Sequence, residues 1–342
     1  MTQYPGIAER LGRQPLAGNA EAGGEALARD FAEALLKGLS QEQKSIPCRF
    51  FYDARGSRLF EEITRLPEYY PTRTETAILR DCAPDIAQAT PAGSVLIEFG
   101  SGSSLKTEIL LEALDKLYAY VPVDISAAAL TEAKARLEWR FPAIAIRPLV
   151  ADFSEPVKLN GSLARRTTLG FFPGSTIGNL GQDEAVQLLK TMRRTLGSEG
   201  RLIIGADLQK DEKLLLAAYN DSAGVTAAFN RNILEHANRV LGTAFDPDGF
   251  THLATYDRAH GRIDMYLVSR RAQAVRVNGR VIRFREGERI HTEHSHKYSI
   301  DGFQELAQAA GWRPAKVWTD AGKLFSVHEL QAATGRLLAP SD

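Results

Sequence analysis

The feature that most constrains this sequence is a short apolar run that ends in a glycine turn and leads into a helix. The run is Val95–Phe99, the turn contains Gly100 and Gly102, and helical apolar spacing continues over residues 106–117. A strand, a glycine turn and a helix N-terminus together cradle a nucleotide, because glycine lets the backbone approach the ligand and the first helical N–H groups are available donors. The pattern therefore predicts an α/β fold built around a nucleotide-type ligand.

Composition and charge are those of an ordinary globular protein. Of the 342 residues, 44% are apolar and 25% are charged, and this length suffices for one large domain or two ordinary ones. The formal net charge is zero at pH 7, so no overall field favours nucleic acid or an anionic membrane. The two cysteines, Cys48 and Cys82, cannot form a disulfide framework and predict reduced thiols.

The sequence shows no pattern of a signal peptide or a membrane span. Its first residues lack a basic region followed by an apolar stretch. No apolar run approaches the roughly 18 residues that a membrane helix needs. We therefore expect a cytoplasmic protein that binds neither nucleic acid nor a membrane. We separately expect a monomer.

Strands and helices alternate along the middle of the chain. Predicted strands cover residues 117–123, 144–150, 167–172 and 201–207, and predicted helices cover residues 127–140 and 183–196. Such alternation is typical of a parallel sheet covered by helices. A helix at residues 300–310 and strands at 315–319 and 324–330 are expected to return to this sheet.

Two other regions follow a different pattern. Residues 211–219 and 225–241 read as helices, and residues 252–258, 262–270, 274–278 and 281–286 read as antiparallel strands with Asn278-Gly279 as a hairpin turn. Near the start, an amphipathic helix at residues 25–38 precedes an aromatic stretch, in which Tyr69-Tyr70 is expected in a binding loop between two prolines. The later block predicts a second domain inserted in the first.

The residues around the glycine turn narrow the choice of ligand. The turn has two of the three glycines of the dinucleotide fingerprint, and Glu98 offers an anion to the methionine ammonium of S-adenosylmethionine (SAM). Asp124 lies about twenty residues beyond the glycines, where nucleotide-binding sheets hold ribose hydroxyls, and Asp152 and Phe153 suit the adenine amino group and ring. A terminal helix and strand pair is the usual ending of a SAM-dependent methyltransferase sheet. This class leads, and an NAD-dependent dehydrogenase is the alternative.

Three stretches together resemble one known family. They are Phe-Tyr-Asp-Ala-Arg-Gly-Ser-Arg-Leu-Phe at 51–60 with Leu-Pro-Glu-Tyr-Tyr-Pro-Thr-Arg-Thr-Glu at 66–75, Pro-Gly-Ser-Thr-Ile-Gly-Asn-Leu at 173–180, and Thr-Glu-His-Ser-His-Lys-Tyr at 292–298. Over residues 30–330 the chain resembles the histidine-specific, SAM-dependent Nα-methyltransferases of ergothioneine biosynthesis. Members of that family convert L-histidine to Nα,Nα,Nα-trimethylhistidine (hercynine) by three successive methyl transfers.

The resemblance implies a set of site residues, with SAM as methyl donor and with L-histidine and its methylated intermediates as ligands. It implies SAM contacts at Gly100, Lys106, Asp124, Asp152 and Phe153. It implies histidine contacts at Tyr69, Asn179, Tyr219, Met265, Glu293 and Ser295, and it places Tyr52 and the backbone of Gly174 near the reacting amine as catalytic positions.

Pattern and resemblance together predict an α/β fold, a Rossmann-like SAM-dependent methyltransferase sheet with an inserted α+β substrate-binding domain. We expect residues 1–24 to form a flexible tail. We expect the substrate-binding domain at residues 25–73 and 209–296. The methyltransferase domain is expected at residues 74–208 and 297–332.

The chemistry of the implied residues suits free histidine. Asn179 and Tyr219 can donate to the substrate carboxylate, and Glu293 can accept from the imidazole N–H. Methyl transfer requires a neutral amine that is well placed and desolvated, with no metal. The quaternary ammonium product can be held by cation–π attraction to Tyr52.

Alternatives remain at this point. On a regular strand Glu293 shares one face with Ser295, while His294 points to the other and His291 is turned away from it. The sequence therefore favours no metal site among these histidines. A methyltransferase of tryptophan-type or other amino acids, and a non-catalytic SAM- or histidine-binding protein, are the remaining functional alternatives.

Overall fold

The computed structural model describes residues 20–101 and 105–333, with side chains described from residue 28 onward except at Leu105 and Ala128. Gly102 of the predicted turn and residues 1–19 of the predicted tail therefore lie outside the described residues. None of the helices in the described ranges is both long enough and apolar enough to span a bilayer. Cys48 and Cys82 form no disulfide among these residues.

The helices and strands of the described residues are numbered in chain order. The α-helices are α1 (Ala20–Leu39), α2 (Ala54–Ile63), α3 (Tyr70–Gln88), α4 (Leu105–Ala113), α5 (Ala127–Arg140), α6 (Gln182–Leu196), α7 (Glu212–Tyr219), α8 (Val225–Leu241) and α9 (Ile300–Ala309). The strands are β1 (Lys44–Ser45), β2 (Val95–Phe99), β3 (Ala119–Asp124), β4 (Ala145–Ile146), β5 (Leu149–Val150), β6 (Thr168–Phe172), β7 (Arg201–Asp207), β8 (Phe250–Asp257), β9 (Arg262–Ser269), β10 (Gln273–Val277), β11 (Arg280–Phe284), β12 (Arg289–His296), β13 (Trp312–Thr319) and β14 (Phe325–Ala332).

The described chain forms two compact units. Unit 1 contains Arg73–Leu208 and residues 298–333, and unit 2 contains residues 20–72 and 209–297. Within unit 1, Leu208 and Tyr298 form an isolated parallel bridge, so residues 209–297 interrupt unit 1 between two neighbouring points. The substrate-binding role expected for the inserted residues stays a prediction.

Unit 1 is built on a mixed sheet in the order β13-β14-β7-β6-β2-β3-β4, with β5 also paired to β3. The strands from β7 to β4 are parallel, whereas β14 is antiparallel to both β7 and β13. Every residue of β2, β6 and β7 is buried, as expected for parallel strands covered on both faces. The carboxyl ends of β2, β3 and β6 consequently meet at one edge, where α/β sheets bind their ligands.

Local chemistry explains where the sequence predictions for unit 1 were wrong. The strand predicted at residues 144–150 is divided into β4 and β5 around Pro148, which has no N–H for the ladder. Tyr70 was expected in a loop, but it is the first residue of α3 and is only 1% exposed. Pro71 follows it in the first helical turn, where the lack of a backbone N–H does no harm. Helix α3 was not predicted, although its apolar residues pack in the unit 1 core.

Unit 2 contains a sheet in the order β1-β12-β9-β8 and a separate β10-β11 hairpin. The hairpin turn predicted at Asn278-Gly279 is present, and φ of 44° and 80° at these residues gives it type I′. Helix α1 begins at Ala20, so the prediction of a flexible tail is wrong for residues 20–24, where alanine and glutamate favour a helix.

A β-bulge in β12 changes which of its side chains share a face. The register pairs His291 with Tyr266 but Glu293 with Met265, so Thr292 is an extra residue on β12. His291 and His294 therefore lie on the same face, with ring centroids 5.9 Å apart. The prediction that His291 is turned away from His294 is wrong, because it assumed an unbroken alternation.

We predict that Gly56→Ala destabilises unit 2. A Cβ at Gly56 would lie 1.7 Å from the backbone oxygen of Phe51, so the loop before α2 must move. Helix propensity alone predicts stabilisation of about 1 kcal/mol, whereas overpacking predicts destabilisation of about 1–3 kcal/mol. Thermal unfolding of Gly56→Ala against the exposed control Ser57→Ala measures the sign, and a raised midpoint for Gly56→Ala would contradict the packing argument.

Candidate active site

The glycine turn of unit 1 contacts the aromatic residue that follows β5. Gly100 has φ of 74° and donates its N–H to Val123 O at 2.8 Å. A Cβ at Gly100 would lie 3.2 Å from Cε1 of Phe153. Both the backbone conformation and the close ring therefore require glycine here, and two predicted SAM contacts are neighbours.

Two aspartates lie at the ends of neighbouring strands and are oriented by short backbone hydrogen bonds. Asp124 ends β3 and accepts the N–H of Ser126 at 2.9 Å, and Asp152 accepts the N–H of Ser154 at 2.8 Å. The pairing of β3 with β5 brings the two carboxylates to the same edge. Oriented acceptors at the strand ends suit the hydroxyl and amino groups of a nucleoside.

Glu75 links the predicted cofactor lysine to the loop after β6. Glu75 is 1% exposed, forms an ion pair with Lys106 and accepts the N–H of Gly174 at 2.9 Å. Lys106 is thus not a surface lysine of the first turn of α4, since its ammonium is held by a buried carboxylate. Glu75 fixes two predicted site positions at once.

The loop after β6 is strained and braced. Gly174 and Ser175 have φ of 84° and 55°, and a positive φ is costly for serine. The buried Ser175 accepts the N–H of Asp207 at 2.9 Å, which supports this conformation. Asn179 ends the short 3₁₀ helix Thr176–Asn179 on the same loop, so one connection carries the predicted catalytic position Gly174 and the predicted substrate position Asn179.

Glu98 has a different environment from the one expected. It is fully buried in β2 and accepts hydrogen bonds from Thr107 Oγ1 at 2.7 Å and from the Tyr120 hydroxyl. Burial raises the pKa of Glu98 to about 7, against the effect of these hydrogen bonds. The structure therefore does not support the expectation that Glu98 faces the methionine ammonium.

Unit 2 carries a second predicted set of residues on one face of its sheet. Glu293 of β12 pairs with Met265 of β9, and both are buried. Burial raises the pKa of Glu293 to about 7, although the Lys297 ammonium acts to lower it. A carboxyl that titrates near neutrality is available here as a hydrogen-bond acceptor for a ligand.

Three polar groups beside Glu293 form a closed set of hydrogen bonds. Tyr219 Oη donates to Ser295 Oγ at 2.8 Å, and Lys297 Nζ donates to both oxygens, each at 2.8 Å. The ring of Tyr69 lies 6.4 Å from that of Tyr219. Because Ser295 Oγ accepts two of these bonds, its own hydroxyl proton can be donated to a further acceptor.

Tyr52 lies in an aromatic cluster of unit 2. Its ring makes edge contacts with Phe60 and Phe229 at centroid distances of 5.6 and 5.7 Å. Desolvation, followed by the charge of Glu293, raises the pKa of Tyr52 well above its usual value, so the phenol stays neutral. The residue is nevertheless 47% exposed, so a solute can reach it.

The predicted residues thus fall into two groups, each brought together within its own unit. Unit 1 holds Gly100, Lys106, Asp124, Asp152, Phe153, Gly174 and Asn179, and unit 2 holds Tyr52, Tyr69, Tyr219, Met265, Glu293 and Ser295. The sequence analysis missed Glu75 and Lys297. Lys297 continues the alternation of Glu293 and Ser295, which is the signal that could have found it.

Comparisons with known proteins identify the family. The glycine cradle and strand order define an α/β protein built to bind a nucleotide-type ligand, and a model of the family described as histidine-specific, SAM-dependent methyltransferase matches residues 31–332. The chain belongs to this family. The predicted family, Rossmann-like fold and SAM as methyl donor are therefore confirmed, and the dehydrogenase alternative is wrong.

Named relatives agree with this assignment. A histidine N-alpha-methyltransferase of Mycolicibacterium smegmatis is 42% identical over 90% of this chain and 95% of its own length. The protein of that name from Mycobacterium tuberculosis is 40% identical with the same coverage, and ergothioneine biosynthesis protein 1 of Neurospora crassa is 32% identical over 84% of this chain and 33% of its own. A solved SAM-dependent methyltransferase of Clostridium acetobutylicum superposes with a TM-score of 0.46 at 13% identity, covering 82% of this chain and all of that one.

We predict that Glu75→Gln weakens SAM binding by about tenfold or more, because the buried Glu75 carboxylate holds two predicted site positions, Lys106 and Gly174. The variant leaves Lys106 without its counter-charge. Isothermal titration with SAM measures the effect. The control is Asp85→Asn on the same helix, whose ion pair with Lys316 is exposed. Unchanged SAM affinity in folded Glu75→Gln would refute the role given to Glu75.

Proposed function

We propose that this protein transfers methyl groups from SAM to the α-amino nitrogen of L-histidine three times in succession, giving hercynine in ergothioneine biosynthesis. Family membership supports histidine methylation, and the names of the relatives support the α-amino position and the pathway. The cytoplasmic location, the monomeric state and the lack of nucleic-acid or membrane partners stay predictions.

The observation that carries the choice of histidine is the pair of hydrogen-bonding groups on one face of β12. Glu293 offers an acceptor, and Ser295 has a proton to donate because Tyr219 and Lys297 already donate to its oxygen. A neutral imidazole has one N–H and one bare ring nitrogen, so it matches both groups. An indole has an N–H but no second ring nitrogen, so it would leave the Ser295 proton unsatisfied.

The described residues that we assign to SAM binding have a geometry that suits this ligand. A Cβ at Gly100 would crowd the Phe153 ring at 3.2 Å, and Asp124 and Asp152 are oriented acceptors at the strand ends. When bound, SAM supplies a methyl carbon on a sulfonium. We assign to this chain the tasks of binding, orienting and drying the amine, which account for most of the acceleration in such a displacement.

The remaining residues have complementary roles in the proposal. Asn179 offers an amide donor to the substrate carboxylate, and the loop carrying Gly174 is fixed by Glu75. In each transfer the amine would first lose its proton to solvent and would then attack with its lone pair, while bound SAM would supply the methyl group and leave as the thioether. The product cation has no N–H left, and the exposed ring of Tyr52 can stabilise it by cation–π attraction.

Incubation of the purified protein with SAM and one amino acid at a time tests the proposal directly. We expect mass spectrometry to show that histidine gains one, two and finally three methyl groups, with tryptophan unchanged. Methylation of tryptophan in preference to histidine would contradict the argument from Glu293 and Ser295. Binding of SAM and histidine without any methyl transfer would instead indicate a non-catalytic binding protein.

A second prediction concerns pH. Because the pKa of Glu293 is raised to about 7, its ionised fraction increases from pH 6 to pH 8, and the charge-assisted bond to the imidazole strengthens with it. Glu293→Gln should raise the KM for histidine at pH 8 by about tenfold or more while leaving SAM affinity unchanged, since hydrogen bonds to charged groups contribute about 1.5–3 kcal/mol.

The pH profile of kcat/KM for histidine should also lose one inflection near pH 7 in Glu293→Gln, whereas the inflection of the substrate imidazole persists in both proteins. Glu288→Gln, which removes a partly exposed acid that pairs with Lys44 at the start of the same strand region, is the matched control. Equal loss of SAM and histidine affinity in Glu293→Gln would mean that Glu293 supports the fold and does not select the substrate.

A further inference from the structure

The face of β12 opposite Glu293 carries a cluster that the methyl transfer does not use. Asp264 of β9 and His291 and His294 of β12 each offer one potential ligand atom, and these three atoms lie within 4.8 Å of one another. We propose that this cluster binds a divalent transition-metal ion, with Zn²⁺ the best match, and that the ion stabilises unit 2.

The bulge at Thr292 creates the cluster. In the antiparallel pair, Asp264 lies opposite His294, so their side chains share a face. The extra residue brings His291, three positions before His294, onto that face as well, where its Nε2 lies 2.9 Å from Asp264 Oδ1. Without the bulge, period-two alternation would turn His291 to the face of Glu293.

Two imidazoles and a carboxylate are a common ligand set for zinc. Bonds of about 2.0–2.2 Å in tetrahedral geometry place the donor atoms about 3.3 Å apart. Asp264 Oδ1 and His291 Nε2 are 2.9 Å apart, and all three donor atoms lie within 4.8 Å of one another, so small side-chain rotations would bring the set to this spacing. Asp264 is 2% and His294 8% exposed, whereas the His291 side chain is 23% exposed, which gives an ion a path of entry.

The surroundings of Asp264 resemble the outer shell of a metal site. The second carboxylate oxygen, Oδ2, accepts a hydrogen bond from Arg262 Nε at 3.1 Å, which fixes the plane of the carboxylate and leaves Oδ1 directed at His291. Such outer hydrogen bonds orient first-sphere ligands in metalloproteins. His296 lies beside His294, with ring centroids 5.2 Å apart, but it bonds to the backbone of His260 and is not part of the proposed ligand set.

Metal titration of the full chain tests this proposal without SAM or histidine, so its outcome does not depend on the proposed reaction. After dialysis against EDTA, we expect isothermal titration with Zn²⁺ to give one site per chain. Zn²⁺ should also raise the thermal midpoint, because the ion binds the folded cluster and not the separated ligands of the unfolded chain. Co²⁺ should give an absorption spectrum without a thiolate charge-transfer band, since no cysteine belongs to the site.

Variants locate the site. His294→Gln and His291→Gln should each weaken Zn²⁺ binding by about a hundredfold or more, and the partly exposed His291 tolerates substitution if the His294 variant does not fold. His260→Gln is the matched control, because His260 forms an exposed histidine–aspartate pair with Asp257 and is not one of the proposed ligands. It should bind Zn²⁺ as the unmodified protein does.

Three outcomes would overturn the proposal. They are a lack of Zn²⁺ binding by the EDTA-treated protein, full binding in folded His291→Gln, and an equal loss of binding in His260→Gln. The first would mean that Asp264 and His291 are only a structural hydrogen-bonded pair. The other two would mean that any bound ion is held elsewhere on the chain.

Discussion

The ammonium of Lys297 lies 2.8 Å from both Tyr219 Oη and Ser295 Oγ, in a region that is largely closed to water. A buried charge is costly unless polar groups surround it, so the two hydroxyls are held in place by the need to satisfy this lysine. The same charge favours ionisation of Glu293. The acceptor and donor that we assign to the imidazole therefore both depend on one cation that need not touch the substrate.

Unit 1 also has a buried ionic group that orients its neighbours, but here the group is an anion. There a buried carboxylate, Glu75, satisfies Lys106 and the N–H of Gly174. It thereby holds the start of α4 and the strained loop after β6 in a fixed relation. In both units an ionic group that is absent from the predicted site residues orients several that are present.

The sequence predictions that were correct were based on short-range patterns. Helices at 127–140 and 225–241, the strand at 201–207 and the Asn278-Gly279 turn follow from apolar spacing, capping and glycine conformation, all of which act over a few residues. Register is different, because the bulge at Thr292 depends on how β12 pairs with β9, some thirty residues earlier in the chain. The face of His291 and the partners of Glu75 and Lys297 depend on contacts between residues far apart in the chain. Short-range patterns could therefore not predict them. The assignment of site residues relied on the family resemblance.

The bulge also determines how this strand can change in evolution. A substitution in β12 alters one side chain on one face, so the groups that we assign to the imidazole and those that we assign to a metal ion can vary independently. Deletion of the single extra residue would instead re-pair everything before it, exchange the faces of residues 289–291 and separate His291 from Asp264. A deletion or insertion at this point would therefore disturb more contacts than a point mutation does, because it changes the register of a whole segment and not one side chain.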